Sequence, residues 1–153
     1  MLRVQTKFFG ELDYTDDSLF HFPSGLPGFE DQRQFVFLQL PGSAPLLFLQ
    51  SLSSQNLCFA LLPILVVDPQ YRIQFSPEDL AELGLPAERQ PMIAKDILCA
   101  AIICAAETHQ PTANMMAPVV VNLKTNQGMQ IINNEFGYSH RHLLCLEEAV
   151  ASC

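Results

Sequence analysis

The sequence predicts a mainly β protein: a small antiparallel β-barrel-like domain that carries one short helix. Three observations predict it. The apolar runs are short and rich in Val, Ile and Phe, which suit a pleated, half-buried surface. Pro, Gly, Asn and Ser separate these runs at close intervals. Only one segment carries a full set of helix signals. Strands at this density would close on themselves as a barrel or a strongly bent sheet, which removes exposed edges.

Taken in order, Val4 to Phe9 alternates apolar and polar residues and ends at Gly10. Ser24 to Phe29 (SGLPGF) predicts a tight turn, with Pro27 fixing one φ and the glycines permitting positive φ. Gln34 to Leu40 (QFVFLQL) places Phe35 and Phe37 on one side and Val36 and Leu38 on the other, the pattern of a strand covered on both faces. Leu46 to Leu49, Cys58 to Val67 and Tyr71 to Phe75 follow as strands, with Ser51 to Asn56 as a polar connection. Pro63 interrupts CFALLPILVV, so that run predicts two strands or an edge strand with a bulge.

The helix is signalled at SPEDLAELGL. Ser76 can cap it, Pro77 suits the first position, Glu78 and Asp79 complement the dipole, and Gly84 can close the end. Leu80 and Leu83 form its apolar face. Ile97 to Ala106 is a buried strand by its paired isoleucines and short length, against alanines that favour helix. In TANMMAPVVVN, Asn114 organises a turn, Pro118 starts a strand where its missing N–H is not needed, and Asn122 ends it. Val119 to Leu123 and Met129 to Ile132 then form a hairpin around Asn126-Gln127-Gly128.

Composition bounds the function. The chain has 153 residues, of which 49% are apolar and 16% charged. That fits a single domain with its core over about 3–146 and a tail over 147–153, expected to be monomeric. No apolar run approaches the ~18–20 residues of a membrane span. The opening MLRVQTKFFGELDY has no charged region followed by an apolar one, so the expected compartment is the cytoplasm. Cys58, Cys99, Cys104, Cys145 and Cys153 contain no CxxC pair, which predicts reduced, mostly buried thiols. Sixteen acidic residues against eight basic ones give a net charge of −8, which repels nucleic acid and favours a basic protein partner.

No constellation carries chemistry. His140 and His142 stand two apart in YSHRHLL and could share a metal from one strand face, but only His21, His109 and scattered carboxylates could complete the site. Surface histidines are the simpler reading, and no metal or cofactor is expected. Cys99 and Cys104 lie among Leu, Ala and Ile, a setting for core thiols rather than nucleophiles. The glycines of SGLPGF lack the spacing of a phosphate loop, and neither GxSxG nor HExxH occurs. Three acidic groups remain: Glu11 with Asp13, Asp16 and Asp17; Glu30 with Asp31; and Glu78, Asp79 and Glu82. Each is a solvated surface or a face that steers a basic partner.

Four ordered blocks resemble one family, the flagellar assembly factor FliW: FHFPSGLPGFEDQRQFVFL, FLQSLSSQNLCFALLPILVVDPQYRI, SPEDLAELGL and TANMMAPVVVNLKTNQGMQIINNEFGYSHRHLL. The most specific pieces are Gly25, Leu26, Pro27, Gly28 and Phe29; Leu49 to Leu52; Asp68-Pro69; and Asn114, Pro118, Asn122 and Gln130 within the last block. The resemblance implies a non-enzymatic cytoplasmic protein that binds flagellin before export and, alternately, the basic translational repressor CsrA. Glu78, Asp79, Glu82 and Asp68 are the candidate contacts to a basic partner, and Met115 and Met116 the candidate lining of an apolar groove or else core. The sequence departs from the family pattern after Asp68-Pro69, where Arg72 stands and no acid follows until Glu78, and at 97–106, where Cys and Ala replace β-branched residues. The competing readings are a small flavin-type cofactor-binding barrel and a general protein-interaction scaffold.

Overall fold

The computed structural model describes residues 2–106 and 109–144. The expected tail, Cys145, Cys153 and the His109 side chain lie outside the described residues. A two-stranded antiparallel sheet, β1 (Leu2–Thr6) with β2 (Gly10–Tyr14), precedes a larger one. The larger sheet contains β3 (Leu19–His21), β4 (Gln34–Leu38), β5 (Leu47–Ser51), β6 (Cys58–Pro63), β7 (Ile97–Ala106), β8 (His109–Ala113), β9 (Val119–Asn122), β10 (Gly128–Gln130) and β11 (His142–Leu143). Its main path runs β10-β9-β7-β6-β5-β4-β3, every pair antiparallel, with β8 on β7 and β11 on β8.

The mainly β class holds, but barrel closure does not. Side chains of β4 and β9, at distant places in the strand order, meet in one buried cluster with Phe22, Leu26, Leu49 and Leu61, so the sheet curls. No ladder joins β3 to β10. Instead the edges meet through the loop of the β9–β10 hairpin: the His21 N–H donates to the Asn126 carbonyl at 3.0 Å, and His21 and Gln127 form a single parallel bridge. The loop can approach because Asn126 adopts φ 61° and Gly128 has no side chain. A Cβ on Gly128 would lie 2.8 Å from the buried Phe22 ring.

The second cluster lies on the opposite face of the sheet, against two helices rather than the one expected: α1 (Ile64–Val67) and α2 (Pro77–Glu82). The Cys58–Val67 run is therefore one strand and one helical turn. Pro63, at φ −51° and ψ 133°, ends the ladder and caps α1, whose closing bond runs from the Asp68 N–H to the Ile64 carbonyl at 3.0 Å. The strand expected at Tyr71–Phe75 is also absent. Its backbone is satisfied by side chains: the Arg72 N–H donates to Tyr138 Oη at 2.9 Å, the Phe75 N–H to Gln90 Oε1 at 2.8 Å, and the Arg72 carbonyl accepts from Asn133 Nδ2 at 2.8 Å.

Other expectations hold with shifted ends. Gly10 opens β2 instead of ending the first strand, since the chain turns at 7–9. β4 buries Phe35 and Val36, one on each face. α2 begins with a capping box between Ser76 and Asp79, buries Leu80 and Leu83, and ends before Gly84 at φ +69°. Ile97–Ala106 is a strand, and the hairpin over 119–130 forms around a loop of 123–127.

Gly25 carries the sharpest local demand. It sits at φ +65°, and a Cβ there would fall 2.6 Å from both the Glu30 Cα and the Phe29 carbonyl oxygen. The turn is closed by Phe29 N–H to the Leu26 carbonyl at 2.7 Å, which drives Leu26 into the core. Gly25→Ala should therefore cost at least ~2 kcal/mol, read as a lowered urea midpoint at unchanged m-value.

Candidate partner-binding surface

The expected acidic face maps onto α2 unevenly. Glu78 is exposed, whereas Asp79 is half-buried and accepts the Ser76 N–H at 3.2 Å. Glu82 accepts from Ser24 Oγ at 2.9 Å. Glu78 is thus the carboxylate of this group most available to a partner. Asp68 lies apart from it, at the end of α1, where its Oδ1 accepts the Gln70 N–H at 2.9 Å and shapes a turn that leaves Pro69 exposed.

Met115 lies in the helix-side core at 1% exposure, and Met116 is half-buried. The Met115 carbonyl accepts from Tyr71 Oη at 2.6 Å, and its N–H donates to the Ser139 carbonyl at 3.0 Å. Asn133, 1% exposed, donates to Tyr71 Oη at 3.0 Å. Tyr71 stacks on Tyr138 with ring centroids 4.4 Å apart, and burial raises its phenol pKa. The Arg72 guanidinium lies over Phe136 at 4.7 Å. These contacts pin the 68–75 segment to 133–138.

The pinned segment forms one wall of an open, partly apolar groove of about 420 Å³ that no local pattern in the sequence marks. Leu65, Ile73, Met92, Ile93 and Phe136 line it, with Arg72 at its rim. Leu65 is 37% exposed and Met92 58%, and the neighbouring Val66 is 53% exposed. The signal available in the sequence was ILVV after Pro63, which reads as strand until its helical turn aims Leu65 and Val66 outward.

The remaining motif residues hold the frame. Asn114 Oδ1 accepts the Ala117 N–H at 3.0 Å, and Gln130 Nε2 donates to the Ala117 carbonyl at 2.8 Å. Pro118 leads into β9, and its carbonyl accepts the Ile131 N–H. Asn122, 3% exposed, donates from Nδ2 to the Leu83 carbonyl at 2.8 Å and accepts the Lys124 N–H at 2.9 Å. Gln127 Nε2 donates to the Glu82 carbonyl. The hairpin thereby caps the end of α2. Gly25, Pro27 and Gly28 shape the turn that sets Phe29 edge-on to Phe59 at 5.5 Å.

Candidate chemistry fares differently at each position. Burial pushes the Cys99 thiol up to about 12 and Cys58 up to about 11. Cys99 is core, but Cys104 is exposed, against expectation, because the β6 ladder stops at Ile102 and leaves the far end of β7 uncovered on that side. His142 lies in β11 and His140 before it, so the two do not share a strand. Among the described residues no three His, Cys, Asp or Glu side chains gather closely enough to hold a metal, and no helix is long and apolar enough to cross a membrane.

A family model described as FliW protein matches residues 3–144. The chain belongs to the FliW family. It is 34% identical over 151 residues to the flagellar assembly factor FliW of Desulfitobacterium hafniense strain Y51, covering 99% of this chain and 95% of that protein. It is also 34% identical to the FliW of Bacillus pumilus, covering 98% and 99% respectively. A crystal structure of the flagellar assembly factor FliW superposes with a TM-score of 0.81 at 29% identity, over 93% of this chain and 96% of that one. Of the motif residues, Asn114, Asn122 and Gln130 hydrogen-bond to the backbone within the fold. Asn122→Ala should cost ~2–3 kcal/mol in chemical denaturation, because it leaves a buried Leu83 carbonyl and the Lys124 N–H without their partner.

Proposed function

We propose that this FliW-family chain is a non-enzymatic cytoplasmic flagellar assembly factor that holds flagellin before export and, when flagellin is drawn down, antagonises the translational repressor CsrA. The family match over almost the whole chain carries the reading. Two features of the surface support a division of labour. The groove beside α1 offers Leu65, Ile73, Met92 and Phe136 as apolar contacts for one face of an amphipathic helix, with methionine as an adaptable one. Glu78 and Glu82 on α2, together with Asp68 and the net charge of −8, suit a basic partner.

Charge accelerates and selects the encounter, while the groove supplies buried apolar area. The two contributions therefore respond to different perturbations. Because Asp79 serves the capping box, the informative charge reversal leaves it in place. Glu78→Lys with Glu82→Lys should weaken CsrA binding more at low salt than above ~0.15 M, where screening removes most of a surface interaction. Calorimetry giving the same affinity as the parent at both salts would refute the acidic contact. Leu65→Asp with Met92→Asp should abolish flagellin binding in a purified two-component assay and leave CsrA affinity within about threefold. Full flagellin binding by that variant would remove the groove from the scheme.

A further inference from the structure

We propose that the pocket between the end of α2 and the β9–β10 loop binds a small phosphate monoester dianion. The pocket is about 240 Å³ and gathers Arg89, Lys95 and Lys124, three of the eight Lys and Arg residues in a chain of net charge −8. A local excess of cations on an acidic protein costs self-repulsion and gains nothing for an apolar core. Asp96 is the one carboxylate lining it, so the pocket is net positive by two.

The cations differ in how they are held. Arg89 is locked by Asp96, with Nη1 to Oδ2 at 2.9 Å and Nη2 to Oδ1 at 3.4 Å. Asp96 also accepts the Met92 N–H at 2.8 Å, and the Arg89 bond leads the causes that lower its pKa to about 2. Asp96 is thereby committed to orienting Arg89. Neither Lys95 nor Lys124 takes part in an ion pair within 4.0 Å among the described residues. Both remain able to turn ammonium donors toward an oxyanion.

The end of a helix normally repels anions, but here its carbonyls are already occupied. Leu83 accepts from Asn122 Nδ2, and Glu82 accepts from Gln127 Nε2. Leu85, Pro86 and Leu123 supply an apolar wall, with Leu123 46% exposed. A phosphate bearing a small organic group meets both parts: two oxygens for the ammonium groups and carbon atoms for the wall. A carboxylate would satisfy only half of the available charge. This site is separate from the groove and from Glu78, so its test does not depend on the flagellin and CsrA reading.

Inorganic phosphate and glycerol phosphate, titrated into the isotope-labelled chain, are expected to shift the amide resonances of Lys95, Leu123 and Lys124. The expected dissociation constants fall at ~0.1–10 mM, with glycerol phosphate the tighter ligand and both weakened by added sodium chloride. Lys95→Gln with Lys124→Gln should lose at least about tenfold in affinity while melting with the parent, and Lys124→Arg should retain binding. Should the double variant unfold, Lys124→Gln alone, which removes one exposed ammonium, should still lose several-fold. Absence of these shifts, unchanged affinity in the glutamine variants, or binding of acetate as tightly as phosphate would each overturn the proposal.

Discussion

The structure depends on the first half of β7, residues 97–101, being covered on both faces while the strand pairs along both edges. Ile97, Cys99 and Ala101 pack into the helix-side core, and Ala100 into the core enclosed by the curled sheet. β6 occupies one edge of β7, and β9 and β8 share the other. A strand so enclosed cannot carry large side chains on every position, because interiors are packed to crystal-like density. Small Ala and Cys residues at 99–101 let two layers approach it. That accounts for Cys99, Ala100 and Ala101, where this strand departs from the β-branched pattern the family resemblance leads one to expect, but not for the exposed Cys104 and Ala105.

From β7 the order passes through β9 to the hairpin loop, which joins parts that no ladder connects. Asn126 reaches the Asp17 and Leu19 carbonyls, at 2.9 and 3.2 Å, on the side of β3. Asn122 and Gln127 reach the end of α2. One loop thus sets the position of the acidic helix relative to the sheet, and with it the geometry of everything that α2 presents to solvent. The polar motif residues of this family act here mainly by satisfying backbone groups, which is costly to undo in a buried setting.

The surfaces left over are of distinct character: a partly apolar groove beside α1, a carboxylate-bearing helix, and a basic pocket at the end of that helix. The three lie at different places and differ in charge, so each suits a ligand of different chemistry. Burial raises the thiols of the half-buried Cys58 and the buried Cys99, which disfavours their thiolate forms at neutral pH.

Local signals were enough for some elements. The Ser76 cap, the Pro77 start and the Gly84 stop define α2, and the glycines of SGLPGF define its turn, because caps and positive φ are demands of single residues. The strand at Ile97–Ala106 was legible from its short apolar run and paired isoleucines, the hairpin after Pro118 from two apolar runs around Asn126-Gln127-Gly128, and the ordered motifs were enough to name the family. Where partners came from far along the chain, the sequence was silent. Tyr71–Phe75 reads as strand but spends its backbone bonds on Gln90, Asn133 and Tyr138. Leu65 and Val66 read as strand interior but turn outward once Pro63 starts a helix, and the groove exists only after Phe136 and Met92 are brought beside them. Sequence determined which segments could be helix, turn or strand; tertiary packing alone decided which apolar and charged side chains were left facing water, since that depends on neighbours that no local pattern encodes.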